Sequence, residues 1–263
     1  MHGRGGLYVL LKLISNLRYM AQPVELPELD ESAFRPLMEH LSKKNIPMNR
    51  YRKGVGDGRS QCFGLVRKRS MAPDLSRQSW LDPQLHYLLM KFALLYVPIS
   101  FTSVQINQNY CCAQHKDKHN VGNSYIVAFG NYTGGELVLK NPDDKEYNIR
   151  HRPLLFNGSE IEHYTKEFKG NRWSIVFFTL EAPTKFPAMA KLSDYEAVCV
   201  DGEWKMAWYR AGLPVTHLSK KSGLPHPLKG RRVKKKAEQN EIIEDGRLTA
   251  AQNLMVRFRE PGE

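Results

Sequence analysis

The sequence predicts a mainly β protein with flanking helices, an α+β arrangement whose core is a sandwich or jelly-roll barrel. Two observations carry that reading. From Ile99 the hydrophobic period becomes two, in short apolar runs parted by turn signals such as GNYTGG, NPDDK, NG and KGN. No helical pattern lies between those runs, so a parallel βαβ sheet is excluded. With 263 residues, 41% of them hydrophobic, the chain has enough apolar surface for a full core. The reading divides it into a helical and loop support region at 1–98, a β core at 99–182, and an extension at 183–263 with a basic tail at about 219–240.

The opening stretch, HGRGGLYVLLKLISNLRYMA, carries Arg4, Lys12 and Arg18 and no acid. It reads as an amphipathic packing helix, with a transit segment as the other reading; Lys12 breaks the apolar run a secretory signal needs. After the Pro-broken PVELPEL, Ser32 is placed to cap a helix carrying Phe34, Leu37, Met38 and Leu41, ending near Lys44. The next segment, NRYRKGVGDGRSQCFGLVRKRS, reads as a Gly-rich basic loop feeding a strand from Cys62 to Val66. Its glycines match neither a Walker loop nor a dinucleotide fingerprint. Arg50, Arg52, Lys53 and Arg59 are its candidate phosphate contacts. Asp82 before Pro83 is a cap and first-turn signature, and Leu85, Leu88, Leu89, Phe92, Leu95 and Tyr96 then share one helix face up to Pro98.

Candidate strands follow at Ser100 to Asn107, Ser124 to Phe129, Glu136 to Leu139, Glu146 to Arg150, Leu154 to Phe156, Ile161 to Tyr164 and Trp173 to Thr179. Beyond them EAPTKFPAMAKLSDYEAV has loop character, and GEWKMAWYR reads as a last strand or cover piece. The run SKKSGLPHPLKGRRVKKKAEQ is too polar to bury a core. It reads as a nucleic-acid contact, a nuclear address or a solvated tail.

The charge narrows the partners. Against 39 Lys and Arg stand 27 Asp and Glu, a formal +12, which favours polyanions and puts nucleic acid first. No apolar run approaches the roughly 20 residues of a membrane span, so no membrane partner is expected. Four cysteines, two adjacent at Cys111 and Cys112, lack the spacing of a secreted disulfide framework; an intracellular, reducing compartment is the expectation.

The candidate chemistry lies in QHKDKHN and in the run from His163 to Thr179. On an extended segment His115 and Asp117 project the same way, and a distant histidine completes two imidazoles and a carboxylate. That set holds Fe(II) on one face and leaves three adjacent positions open. His163 is preferred as the distal ligand. His119 lies too far along the same segment, and His151 is followed by Arg152 and Pro153 with no suitable cation on the next strand. After His163, the strand RWSIVFFT sends Arg172, Ser174, Val176 and Phe178 to one face and Trp173, Ile175 and Phe177 to the other. A buried guanidinium is costly unless it meets an anion, so Arg172 with Ser174 points to a carboxylate-bearing cosubstrate.

His115, Asp117, His163 and Arg172 together resemble the signature of the Fe(II)/2-oxoglutarate dioxygenases, over about Ser100 to Thr179. The resemblance implies a double-stranded β-helix (a jelly-roll, cupin-like core), with Fe(II) held by those three ligands. It implies 2-oxoglutarate chelating the metal, with its far carboxylate on Arg172 and Ser174. It further implies O2 consumed, with succinate and CO2 released as a substrate C–H bond is hydroxylated. The stretch GNSYIVAFGNYTGGEL and the basic charge are similar to the TET/JBP branch, which oxidises methyl groups of 5-methylcytosine or thymine in nucleic acid. The expectation is therefore base modification, on DNA more than RNA. Arg59, Asn107, Asn109, His119 and Asn120 are the candidate substrate contacts by proximity to the site. A prolyl or lysyl protein hydroxylase is the second reading, and a non-catalytic nucleic-acid-binding jelly roll the third.

Overall fold

The structure, a computed structural model, describes residues 22–48, 56–68, 71–140, 144–181, 191–210 and 213–215. The expected opening helix, the basic residues Arg50, Arg52 and Lys53, and the basic run at about 219–240 lie outside the described residues.

The period-two region forms two antiparallel sheets. The larger contains β4 (Ser103–Cys112), β5 (Ser124–Gly134), β8 (Leu154–Phe156) and β10 (Phe168–Phe178) in the order β8-β5-β10-β4. The smaller contains β6 (Leu137–Lys140), β7 (Asp144–Tyr147) and β9 (Glu162–Thr165) in the order β7-β6-β9, and His115 bridges onto its open side at His163. Followed along the chain, the path crosses repeatedly between the sheets: β4 in the large one, His115 in the small, β5 large, β6 and β7 small, β8 large, β9 small, β10 large. That winding is a double-stranded β-helix, the jelly-roll core expected, and the molecule is mainly β with few helices.

Alternation along the strands builds two cores. On β5, Tyr125, Val127 and Phe129 face one way and Ile126, Ala128 and Tyr132 the other; on β10, Trp173, Ile175 and Phe177 oppose Val176. The second set packs between the sheets with Leu137, Leu139, Tyr147, Leu154 and Phe156. The first set packs beneath the helices, against Phe34, Leu37, Leu85, Leu89 and Phe92. Each such side chain contributes about 1.5–3 kcal/mol on full burial. The helical layer is α1 (Arg35–Leu41), preceded by a 3-10 turn at Glu31–Phe34, with α2 (Arg77–Leu81) and α3 (Pro83–Tyr96). Asp82 caps α3 as expected, accepting from the Leu85 amide at 3.1 Å. At the first helix the cap is Asp30 rather than Ser32, whose amide donates to the Asp30 carboxylate at 2.8 Å. Leu95, expected on the apolar face of α3, is 61% exposed.

The sheets reach further than the turn signals implied. β5 runs through GNYTG and β10 through FKGN, because glycines in these strands serve close backbone approach rather than turning. Gly130 and Gly170 have φ of 111° and 107°, and a Cβ on either would strike the carbonyl oxygen of Asn171 or Asn131 across the ladder. β4 likewise continues to Cys112. The support region also supplies strands: β1 (Val24–Glu25) beside β8, and β2 (Gly56–Lys68) and β3 (Met71–Leu75) beside β4. β2 occupies the segment read as a loop because it pairs with β4 almost throughout, with a register shift between Asp57 and Arg59. A third sheet, β11 (Tyr195–Val200), β12 (Glu203–Arg210) and β13 (Leu213–Val215), places Tyr195 and Met206 against Leu65 and Leu75. β12 is the expected last strand; β11 stands where a loop was read.

Candidate metal centre and anion pocket

His115 and His163 face each other across a one-pair ladder. The His115 amide donates to the His163 carbonyl at 3.0 Å and the His163 amide to the His115 carbonyl at 2.9 Å. A hydrogen-bonded antiparallel pair puts both side chains on one face, and the imidazole centroids lie 4.3 Å apart. Asp117 reaches the same point by a tight turn rather than by strand alternation. The Lys118 amide donates to the Lys116 carbonyl at 3.1 Å across it, and the Asp117 amide to the Gly158 carbonyl at 2.8 Å. Its carboxylate lies 3.5 Å from His115 Nε2 and 3.8 Å from His163 Nε2. One ligand atom from each residue lies within 4.8 Å of the others.

The ring orientations suit a metal. The Nδ1–H of His115 donates to the Ala113 carbonyl at 2.8 Å and that of His163 to the Ile161 carbonyl at 2.9 Å. Each ring therefore offers Nε2, the outer hydrogen bonds fixing tautomer and orientation as they do around ligating histidines. Burial disfavours charge on His115, but hydrogen bonds with Asp117 and Cys112 outweigh it and push its pKa up to about 10. Without a metal the imidazolium is thus the counter-cation of Asp117; a bound dication takes over that role and expels the proton. Gly158 packs so close that a Cβ there would lie 3.1 Å from Asp117 Oδ2 and 3.3 Å from His163 Cε1. Two imidazoles and a carboxylate on one side of a point are a donor set that fits Fe(II).

The second cluster is on the inward face of β10. Arg172 is 2% exposed, and its Nε and Nη2 have no hydrogen-bond partner among the described residues. Its guanidinium lies 5.5 Å from both the Tyr132 and Phe168 ring centroids, which hold it in place without neutralising it. Burial disfavours its charge, and the Tyr132 hydroxyl offsets part of that effect. Gly135, at φ 75°, leaves room for it: a Cβ there would stand 3.0 Å from Nε. Ser174 is buried one step along the same face and accepts from Asn107 Nδ2 at 3.2 Å, while Asn107 Oδ1 is buried without a partner. The end of β4 connects the clusters. Cys112 Sγ lies 3.4 Å from His115 Nδ1, and Cys111 Sγ lies 3.3 Å from the Thr165 carbonyl, within the field of Arg172. Burial pushes the Cys111 thiol up.

The structure thus gathers His115, Asp117 and His163 into one cluster and Arg172, Ser174 and Asn107 into another. His151 is elsewhere, stacked on Phe34 at 5.0 Å. Asn109, at φ 49°, accepts from the Arg172 amide at 2.8 Å and so holds the β10 backbone. His119 is exposed, its Nδ1 3.1 Å from Arg67 Nη1, and Asn120 bridges to Leu180. Arg59 is engaged with the Asn45 side chain and the Ile46 carbonyl, clamping the segment before β2. Tyr132, Phe168, Gly135, Gly158 and Cys112 were missed by the sequence reading. The signal for the first four was an aromatic or glycine inside stretches read as turns or strand ends, and for Cys112 its place beside Cys111 just before His115.

No family model matches the chain, and neither does any curated protein. Among solved structures, it is similar to a 2OG-Fe(II) oxygenase family oxidoreductase from Burkholderia pseudomallei, at 16% identity over 67% of this chain and 91% of that one, TM-score 0.43. A prolyl-4-hydroxylase from Pseudomonas putida matches at 12% identity over 66% and 100% of the two chains, TM-score 0.41. NgTET1 in complex with 5mC DNA matches at 18% identity over 60% and 72%, TM-score 0.40.

Proposed function

We propose that the chain is an Fe(II)- and 2-oxoglutarate-dependent dioxygenase that hydroxylates a C–H bond, most specifically the methyl group of 5-methylcytosine or thymine in nucleic acid. The observation that carries the chemistry is the buried guanidinium of Arg172, whose Nε and Nη2 lack a hydrogen-bond partner among the described residues, in the barrel that also holds the His115, Asp117 and His163 cluster. Zinc alone would be served by such ligands, but a metal site needs no buried orphan cation beside it; a cosubstrate that ligates the metal at one end and bears a carboxylate at the other needs both.

His115, Asp117 and His163 would hold the iron, and Arg172 with Ser174 the distal carboxylate of 2-oxoglutarate. When bound, iron and 2-oxoglutarate supply the oxidising power, consuming O2 and yielding succinate, CO2 and a hydroxylated substrate. The chain's own work is positional. The Ala113 and Ile161 carbonyls keep both Nε2 atoms bare, Asp117 supplies the charge on one side only, and Tyr132 and Phe168 hold the guanidinium aimed and dry. The +12 charge supports a polyanionic substrate, on DNA more than RNA, with the base extruded to reach the site. Cys62, Cys111, Cys112 and Cys199 are free thiols, which supports a reducing, intracellular setting, and the basic run near 219–240 supports a nuclear one.

The test is CO2 release from 1-labelled 2-oxoglutarate with Fe(II) and ascorbate, with DNA, RNA or prolyl and lysyl peptides as substrates, followed by mass spectrometry. The expected result is release stimulated by methylated or thymine-bearing DNA, with new hydroxymethyl pyrimidine, abolished in Asp117→Ala. Stimulation by peptide alone transfers the activity to protein hydroxylation. Nucleic-acid binding with retention of neither iron nor 2-oxoglutarate makes the barrel a non-catalytic module.

A further inference from the structure

We propose that Lys116, Lys118 and Arg67 form a phosphate-contacting rim that seats a polynucleotide strand over the metal centre. The inference rests on the nucleic-acid reading above and adds the surface that would carry it. Asp117 turns its carboxylate in toward the two imidazoles, and its chain neighbours Lys116 and Lys118 are both exposed, their backbones linked across the same tight turn. Neither lysine meets a carboxylate among the described residues. Arg67 joins them through His119. Its Nη1 lies 3.1 Å from His119 Nδ1, a contact that brings no carboxylate to the guanidinium. Glu181 stands 3.9 Å from Arg67 and is itself 58% exposed, a pair worth little in water.

Several exposed cations elsewhere do have a close acid. Lys44 stands 3.1 Å from Asp82, Lys166 3.0 Å from Glu146, Arg152 2.9 Å from Glu28 and Lys205 3.0 Å from Glu203. Cations without a close acid on both sides of the half-buried Asp117 carboxylate create a positive field at the place where a substrate must arrive. A polynucleotide suits that field because its charge repeats along the strand, so contacts can be made on either side of an extruded base while the base itself enters the barrel.

The experiment is fluorescence anisotropy of the full chain with a labelled single-stranded oligonucleotide across a salt series, with Co(II) present. Losing two phosphate contacts lowers the magnitude of the log K against log salt slope by about 1.4, or roughly 25-fold in affinity at 0.1 M salt. That is the result expected for K116A/K118A, with Arg67→Ala adding to it. Lys205→Ala, remote and paired, is expected to leave the slope unchanged. Wild-type binding with an unaltered slope in the double variant overturns the rim while leaving the dioxygenase reading intact. A chain that binds polyglutamate through the same lysines, and no oligonucleotide, also overturns it. Failure of the catalytic reading shows separately, as absent 2-oxoglutarate turnover, and does not touch this measurement.

Discussion

Arg172→Met tests the anion pocket without any substrate. The native guanidinium is buried with two donor nitrogens, Nε and Nη2, unanswered among the described residues, each costing about 1–3 kcal/mol, and the two flanking rings return about 0.5–2 kcal/mol each. The net is a cosubstrate-free chain burdened by about 2 kcal/mol. Methionine keeps much of the length, fills the space between Tyr132 and Phe168, and has no donor to satisfy. The variant is expected to melt roughly 4–8 °C above the parent when both lack 2-oxoglutarate, at 2–4 °C per kcal/mol for a chain of this size. Adding 2-oxoglutarate with Co(II) at about one hundred times its Kd stabilises the parent by a further 2.7 kcal/mol or so, whereas the variant gains nothing. Differential scanning fluorimetry reads both shifts. A variant that melts lower and still responds fully to 2-oxoglutarate would refute the reasoning, because the orphan donors would then be structural.

Three further outcomes follow from the geometry. His163→Ala is expected to abolish stoichiometric Co(II) uptake measured by absorption titration, while His151→Ala and His119→Ala retain it; uptake surviving in His163→Ala sinks the ligand assignment. Gly158→Ala is expected to weaken metal binding at least tenfold with little change in apo stability, since its methyl presses on Asp117 Oδ2 and His163 Cε1 and meets the core ring of Phe156 only at 3.4 Å; isothermal titration calorimetry decides it. His86 is 1% exposed, bonded to Ser79 Oγ at 3.0 Å, and burial lowers its pKa to about 4 from an ordinary 6.5. The unfolded chain therefore binds the extra proton between those values, so stability is full above pH 6.5 and falls as pH drops to 4. The loss is roughly 3 kcal/mol at 1.36 kcal/mol per unit. Denaturant melts of His86→Gln are expected to lack that slope, and an identical slope in both proteins would count against it.

The barrel was legible because its strands alternate cleanly: Tyr125 to Phe129 and Trp173 to Phe177 separate two cores in sequence as they do in space. The cluster of His115, Asp117 and His163 was legible for a different reason, since the H-x-D pair and a histidine ahead of an R-x-S strand can be read from residue order alone. Less could be read where one residue type serves two purposes. Gly130 and Gly170 punctuate a turn in sequence but relieve a close backbone crossing in the fold, so β5 and β10 were read short. The Gly-rich segment from Gly56 is a strand only because β4 offers it a partner, and that is tertiary information. Asp117 does join the two imidazoles, although the period-two argument is not what holds it there, for a turn and the Gly158 carbonyl position it. The aromatic clamp on Arg172 draws on β5 and the start of β10, and nothing local in either stretch announces that they meet.

The smaller sheet ends in a single residue pair, His115 with His163, joined by two amide bonds. An ion held by both imidazoles is therefore also a clasp on the barrel's seam. Opening of that seam and release of the ion become one equilibrium, in which whatever tightens the metal slows hydrogen exchange at those two amides, and whatever frays the strand end lets the metal go.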